Sequence, residues 1–293
     1  MKIAVYGRQF NDPQVFPYIR QVFDSLVLHQ VDVYVHHQFN EYLQGNVDTT
    51  AYNVLKPGDT IKDFIDIFIT IGGDGTLLDM VTVIRDSGVP VIGINFGRLG
   101  FLASINKNDI AAAMHAVVNK EYTLDSRELL VIDSDAKLFG EDNFALNDVT
   151  IHKRDDSAMI TTHVSLNDEF LNSYWGDGII ISTSTGSTAY SLSCGGPIIF
   201  PQSNCIALTP VAPHNLNVRP VILPDTSNLS FEVECRGTNY IVSCDSRTIV
   251  IDKTMKFRVY KAGFKLNLIR LSNESYLHTL RTKLLWGLDA RNY

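Results

Sequence analysis

The sequence predicts an α/β domain with a parallel sheet, followed by an all-β domain. Three observations predict it. Up to about residue 122, short apolar β-rich runs alternate with segments apolar at helical spacing, the pattern of a parallel sheet covered on both faces. From about Glu128 the apolar period drops to two and stays there through Ile269, so many short strands follow one another with few helical patterns between them. Ser275 to Trp286 then returns to helical spacing, with Leu277, Leu280, Leu284 and Leu285. The expected segments are 1–122, 123–268 and 269–293.

The first segment reads element by element. Ile3 to Tyr6 is a short apolar run ending at Gly7, a first strand. Val15, Ile19, Val22, Phe23 and Leu26 recur as one helix face. Val31 to Val35 alternates and makes a second strand. Residues 40–62 are polar, contain Pro57-Gly58 and read as a loop with at most one helical turn. Ile67 to Ile71 is a third strand, and Leu77, Leu78, Val81 and Ile84 mark the helix after it. Val89 to Ile94 is a fourth strand, running into the glycine-containing turn Asn95 to Leu102. Ala-rich Asp109 to Val118 is helical.

The second segment reads in twos. Its strands are Leu130 to Ile132, Phe144 to Ile151, Met159 to Leu166, Phe170 to Tyr174 and Ile179 to Ile181. Cys205 to Leu208, Leu229 to Cys235, Tyr240 to Cys244, Thr248 to Ile251, Phe257 to Tyr260 and Phe264 to Ile269 continue the series. Asn167-Asp168 sits between two such runs and is a hairpin signal. The helix after Ser275 needs an apolar partner, either the first segment or another subunit.

Composition bounds the function. The 293 residues are 45% hydrophobic and 19% charged, as in a globular protein with an ample core. A net charge of −7 argues against broad nucleic-acid or membrane binding. No apolar run reaches the length of a membrane span. The four cysteines show no metal-ligand spacing and are few for a disulfide scaffold, so reduced thiols in a cytoplasmic setting are expected. Met1 to Val5 reads as a strand rather than a signal peptide.

One turn carries the most chemistry. The strand ending at Ile71 meets Gly72-Gly73-Asp74-Gly75-Thr76 before the next helix. Glycines there permit positive φ and a close approach of backbone or ligand. Thr76 reads as the helix N-cap. A turn feeding a helix start offers free N–H groups and a favourable dipole to an anion such as phosphate. Asp74 is out of place in a pure anion cradle. It makes sense as the acceptor of a proton from an attacking hydroxyl, or as the holder of a metal or sugar hydroxyl. An ordinary β–α turn uses the same residues for shape, and the turn alone leaves both readings open.

Two further stretches stand out. Asn147-Asp148 interrupts a β run with an amide and a carboxylate, which suit hydroxyls or an amide in a cleft, or else mark a bulge or turn. Trp175 to Ser193 runs from a strand into a hydroxyl-rich turn and a short helix, with Ser187 or Thr188 as its cap, and Gly195-Gly196-Pro197 beyond. Its hydroxyls and free N–H groups form a neutral hydrogen-bonding cup for an oxygen-rich ligand, against the simpler reading of a Ser/Thr-rich loop. Cys244-Asp-Ser-Arg247 reads as a hairpin tip whose arginine faces solvent more often than a phosphate. No G-x-x-x-x-G-K-[ST], G-x-G-x-x-G, G-x-S-x-G or H-E-x-x-H motif is present.

Taken together these stretches resemble the NAD kinase family. The resemblance rests on Gly72 to Thr76, Gly93 to Phe101, Asn147-Asp148, Asp177 to Ser191 with Gly195-Gly196-Pro197, Pro210 to His214, Cys244 to Arg247 and Leu277 to Gly287, in the family's order. The glycine turn alone is shared with lipid kinases and phosphofructokinases; the hydroxyl-rich stretch is more specific. The resemblance implies transfer of the ATP γ-phosphoryl group to the 2′-hydroxyl of the adenosine ribose of NAD, giving NADP, with a divalent metal such as Mg²⁺. It implies Asp74 as proton acceptor, with Gly75 beside it against the dinucleotide, and Asn147 and Asp148 on ribose hydroxyls and the adenine end. Asp177, Thr185, Thr188, Ala189, Tyr190, Ser191, Leu192 and Ser193 would hold the nicotinamide and adenine portions. Ala212 would line a ring pocket, and Arg247 stands at a further dinucleotide position where Gln is frequent. The amides of Gly72, Gly73, Gly75 and Thr76 would hold the ATP phosphates. A homodimer or homotetramer and a C-terminal segment packed on the first domain are also implied. Trp175 and Asp79 stand where the family often has a basic residue, and Asp148 is the shorter form of a common Glu. A lipid kinase of the diacylglycerol or sphingosine type, and a non-catalytic NAD-binding regulator, are the competing readings; the acidic charge and the hydroxyl-rich cup speak against the first.

Overall fold

The computed structural model describes residues 1–97, 100–154, 158–272 and 275–286. The chain divides into two compact units, Met1–Ser126 with Leu266–Tyr293, and Arg127–Lys265. It passes from one to the other within two strands, Tyr122–Asp133 and Phe257–Leu271.

The first unit is α/β. Strands β1 (Lys2–Gly7), β2 (Asp32–His36), β3 (Asn53–Leu55), β4 (Ile67–Ile71) and β5 (Val91–Asn95) lie in the order β5-β4-β1-β2-β3, all parallel. A short β6 (Ile105–Asn106) adds to β5. Every residue of β4 and β5 is buried, which explains why these strands read as continuous apolar runs without alternation. Helices α1 (Phe16–Leu28), α2 (His37–Leu43) and α3 (Asp74–Ile84) join β1 to β2, β2 to β3 and β4 to β5, and α4 (Ile110–Val118) follows β6. The apolar stripe Ile19, Val22, Phe23 and Leu26 of α1 is buried as its spacing requires. Residues 40–62 hold more structure than their polarity indicates, namely the end of α2 and the strand β3. β3 is a three-residue edge strand in which Leu55 alone is buried, so it leaves no periodic signal.

The strand order has one consequence for the site. The chain steps outward from β1 to β2 to β3, then returns to the other side of β1 for β4 and β5. The direction of winding therefore reverses between β1 and β4. In open parallel sheets the crevice beyond the carboxyl ends of two such strands is where ligands bind.

The second unit is all-β. Its elements are β7 (Tyr122–Asp133), β8 (Phe144–Ala145), β9 (Asp148–His152), β10 (Ile160–Leu166), β11 (Glu169–Gly176), β12 (Gly178–Thr183), a one-turn helix α5 (Tyr190–Ser193), β13 (Cys205–Val211), β14 (Val221–Pro224), β15 (Leu229–Glu234), β16 (Asn239–Cys244), β17 (Arg247–Asp252) and β18 (Phe257–Leu271). Six of these pair antiparallel in the order β14-β13-β12-β9-β16-β17. β11, β10, β15 and β18 pair antiparallel in that order. Inward residues of both sets, among them Val149, Ile151, Ile181, Val164, Phe231 and Val242, form one core. Each such side chain contributes roughly 1.5–3 kcal/mol on burial. The Asn167-Asp168 pair makes the predicted hairpin, with φ of +50° and +68°.

The last helix, α6 (Tyr276–Leu284), belongs to the first unit. Leu280 is its buried residue, Ser275 caps it by accepting from the His278 N–H, and the Tyr276 ring lies 6.3 Å from that of Phe101. Of the segment expected at 269–293, residues 273–274 and 287–293 lie outside the described residues, as do Arg98 and Leu99 of the second glycine turn.

Candidate active site

The glycine turn folds as a strand-to-helix corner at the point of reversal between β1 and β4. Gly72 has φ +146°, and a Cβ there would fall 2.1 Å from Thr76 Oγ1, so this position requires glycine. Helix α3 starts at Asp74, one turn earlier than the sequence reading. Gly73, extended at φ −78° and ψ −173°, is its N-cap, and no side chain caps it. Thr76 lies buried in the first turn, its N–H donating to the Gly73 carbonyl at 2.9 Å. A polar β-region residue predicts a cap only where the backbone has not already turned, and here the glycines turn it first. The N–H groups of Gly73, Asp74 and Gly75 consequently have no intrahelical acceptor. They face outward at the positive end of α3, a seat for an anion.

Asp74 is half-buried, and a second turn is shaped to receive it. Its Oδ1 accepts the N–H groups of Leu102 (3.0 Å) and Ala103 (2.9 Å), and its Oδ2 that of Phe101 (2.8 Å). The turn following β5 thus fixes the orientation of the carboxylate. A carboxylate has about four lone-pair positions. Both positions on Oδ1 are occupied, and one on Oδ2 remains for another donor.

Arg8, at the carboxyl end of β1, is a neighbour the sequence reading did not single out. Its Nε and Nη2 donate to Asp79 Oδ2 and Oδ1 at 2.5 and 2.7 Å. Asp79 is the acid that stands where the resemblance leads one to expect a base; here the base comes from β1 instead. The strand-end position of Arg8 was its one available signal, because ligands gather at the carboxyl ends of parallel strands.

In the second unit, Asn147-Asp148 lies where β8 gives way to β9. The break is held by Asp245, whose carboxylate accepts the N–H groups of Leu146 (2.8 Å), Asn147 (2.8 Å) and Asp148 (3.2 Å). The Asp245 N–H donates back to the Asp148 carbonyl at 2.9 Å. An aspartate at a hairpin tip is an ordinary turn residue, so the sequence marked Asp245 only as part of the Cys244 to Arg247 stretch and gave it no role of its own. The Asn147 carbonyl accepts from the Thr183 N–H at 2.9 Å, yet its side-chain amide makes no hydrogen bond among the described residues. Asp148 is 6% exposed, and its carboxyl group likewise has no hydrogen-bond partner among them. Burial, reinforced by the Asp245 charge, pushes the Asp148 carboxyl up to about 7.

The hydroxyl-rich stretch is more inward-facing than its composition indicates. After β12 come a 3₁₀ turn at Thr185–Thr188 and then α5, which Ala189 precedes with no side-chain cap. Neither Ser187 nor Thr188 caps it. Ser187 donates to the Ser184 carbonyl, and the buried Ser191 hydroxyl pairs with that of Thr209 at 2.8 Å. Thr183 donates to the Leu146 carbonyl, and Thr185 accepts from Arg127 at 3.1 Å. Gly186 is pressed so close to the Asn147 carbonyl that a Cβ would lie 2.0 Å away. Most hydroxyls therefore bond within the protein, to backbone carbonyls or to the Thr209 hydroxyl, rather than line a cup, and Thr183 reaches the Leu146 and Asn147 carbonyls. The outward surface is left to half-buried Thr188, Ala189 and Leu192 and exposed Tyr190 and Ser193. The Tyr190 phenol is raised, first by partial burial, then by Cys194 beside it, with the charges of Asp148 and Asp177 adding to the effect.

Asp177 pairs with Lys153 at 2.9 Å. Trp175 packs on His214 with ring centroids 4.3 Å apart, and Ala212 is exposed at φ +43°. Arg247 turns inward: it donates to the carbonyls of Asp142 and Phe144, and its guanidinium lies 5.5 Å from the centre of the Phe144 ring. No group of three or more His, Cys, Asp or Glu side chains among the described residues could hold a metal ion. No helix among them is long and apolar enough to cross a membrane.

Comparison with known proteins bears on both units. Residues 8–122 match the ATP-NAD kinase N-terminal domain and residues 146–271 the ATP-NAD kinase C-terminal domain. The chain is 43% identical to an NAD kinase of Cytophaga hutchinsonii over the whole of both chains. It is 36% identical to an NAD kinase of Bacteroides fragilis over 99% of this chain and the whole of that one. Among solved structures, the yeast NADH kinase complexed with NADH superposes with a TM-score of 0.83 at 22% identity, over 98% of this chain and 88% of that one, a likeness of fold. An Archaeoglobus fulgidus NAD kinase in complex with ATP gives 0.72 at 22% identity, over 97% and 99%. Matched in both of its domains and along its full length, the chain belongs to the NAD kinase family.

Proposed function

We propose that Asp74 is the proton acceptor when the chain phosphorylates the 2′-hydroxyl of the adenosine ribose of NAD with ATP to give NADP. The chain is an NAD kinase by family, and the reaction is ATP-dependent phosphorylation of NAD. The observation that supports the role of Asp74 is its double constraint: it opens a helix whose first N–H groups suit phosphate, and three backbone amides orient its carboxylate. A ribose hydroxyl is a poor nucleophile at neutral pH. Phosphoryl transfer needs in-line positioning, neutralised phosphate charge and an acceptor for the proton. With Oδ1 saturated by two N–H bonds, Oδ2 is the atom that takes the proton. The free N–H groups of Gly73, Asp74 and Gly75 hold the donor phosphates; those of Gly72 and Thr76, which the sequence also suggested, are spent on the Ile94 and Gly73 carbonyls.

Asn147 and Asp148 serve ribose hydroxyls, which the unpartnered state of both side chains supports. Tyr190, Thr188 and Asp177 extend the dinucleotide site. A divalent ion such as Mg²⁺ would be held mainly by the triphosphate oxygens and would neutralise their charge, since this ion commonly uses one or two carboxylates and substrate oxygens rather than an all-protein cage. The free thiols support a cytoplasmic location, and exposed Phe170 and Trp175 support self-association as a dimer or tetramer.

The test is Asp74→Asn. Turnover should fall by ~10²–10⁴-fold, while NAD binding measured by calorimetry largely survives. Turnover near the wild-type value removes Asp74 from this role. A lipid kinase is separated by offering a diacylglycerol with ATP, and a regulator by the absence of NADP with any phosphate donor.

A further inference from the structure

We propose that Arg8 is a phosphate-binding residue, holding the polyphosphate chain of the donor over the first turn of α3; this rests on the donor phosphates occupying that turn. Three observations within the first unit lead to it. Arg8 follows β1 and the glycine turn follows β4, so the two flank the point where the winding of the sheet reverses. The guanidinium lies directly over Gly75: a Cβ on that residue would meet Arg8 Nη1 at 3.3 Å. Arg8 also borders a cavity of about 460 Å³ that Tyr6, Gln9, Gln38, Glu41 and Tyr42 line. Arg8 therefore has protein on one side and open space on the other.

The electrostatics fit an anion that arrives later. A cation beside the N-terminus of a helix is opposed by the helix dipole. Asp79, one turn along α3 from Gly75, holds Arg8 there through Nε and Nη2, the Tyr6 hydroxyl lies beside the guanidinium, and Nη1 lies over Gly75. The Arg8 guanidinium is raised above its ordinary value, chiefly by that bond to Asp79. The planar fork can keep both Asp79 oxygens and still present its remaining edge to a phosphate; a lysine ammonium cannot do both. Gly75 is small because both the backbone seat and the guanidinium need the space above it.

The experiment compares Arg8→Gln and Arg8→Lys with the wild type, measuring the KM for ATP, the KM for NAD, and the Kd of inorganic tripolyphosphate by calorimetry. Arg8→Gln should raise the KM for ATP and the tripolyphosphate Kd together by about 10- to 100-fold, the size of a lost bond to a charged group. The KM for NAD should stay within about threefold, since the loss is confined to one charged contact. Arg8→Lys should fall between and serves alone if the glutamine variant does not fold. An unchanged tripolyphosphate affinity, or an equal rise for NAD and ATP, overturns the assignment. Failure of the wild type to make NADP would overturn the proposed reaction instead, and the tripolyphosphate measurement would still decide the role of Arg8.

Discussion

Gly100 lies so close to Asp74 that a Cβ on the glycine would fall 1.9 Å from the Asp74 Oδ1. Its own N–H donates to the Ala103 carbonyl at 3.1 Å, which holds the turn that supplies the amides of residues 101–103. Glycine at this position is a demand of the carboxylate rather than of the local backbone.

Gly100→Ala should therefore act as an active-site substitution. The added methyl group must displace either the Asp74 carboxylate or the turn that holds it. A displacement of about 1 Å in a reacting group can cost ~10²-fold in rate. We expect kcat to fall by that order with the KM for NAD little changed. A variant with normal kcat would show that the Asp74 orientation is not critical.

Asn147→Ala tests the other unit. The backbone of Asn147 is fixed by Asp245 and by Thr183, and neither bond involves the side chain that alanine removes. Folding should be unaffected. The KM for NAD should rise about 3- to 10-fold, the loss of one neutral hydrogen bond, and that for ATP should move far less. Equal changes in both would exclude a ribose contact.

The buried acid pair sets a pH dependence. Asp148 is pushed up to about 7 and Asp245 is raised as well, in both cases chiefly by burial. In the unfolded chain an aspartate ionises near its ordinary value of ~3.9. Between these limits the native state binds more protons than the unfolded state, so stability falls as the pH rises, and the loss is complete above about 7. Asp148→Asn removes this step. Urea midpoints at pH 5 and pH 8 should differ less in the variant than in the wild type, with the variant gaining mainly at pH 8. An unaltered difference would mean that Asp148 ionises normally in the native protein.

The legibility of the molecule in its sequence follows from how each feature is built. Fully buried parallel strands and alternating antiparallel ones have distinct periods, so β4 and the β10–β11 hairpin were readable. The turn at Asp74 was readable as a turn because its glycines separate a continuous apolar run from a helical period; its chemistry became readable only together with the other stretches. β3 was not, since an edge strand with one buried residue carries no period. The hydroxyls of residues 183–191 looked outward because composition gives number and not direction; some of their partners are distant in sequence, such as the carbonyls of Leu146 and Ile199 and the Thr209 hydroxyl. Arg8 and Asp245 act through residues 71 and about 97–99 positions away, and no local pattern encodes such pairs.

Arg247 is the residue whose position in sequence and position in space point to different effects. A hairpin-tip arginine beside a nucleotide site invites a phosphate contact, but this side chain is spent on two backbone carbonyls, on the Phe144 ring and, at 4.0 Å, on the Asp245 carboxylate. Glutamine in its place can satisfy at most part of that set and carries no charge to balance the buried acid. Arg247→Gln should cost about 1–3 kcal/mol, seen as a drop of several degrees in Tm. Because Asp245 in turn holds the backbone of Asn147, some rise in the KM for NAD should accompany it, smaller than that of Asn147→Ala. If the Tm is unchanged while the KM for NAD rises more than in Asn147→Ala, the guanidinium leaves its carbonyls to meet the dinucleotide, and the inward arrangement is not the one that binds substrate.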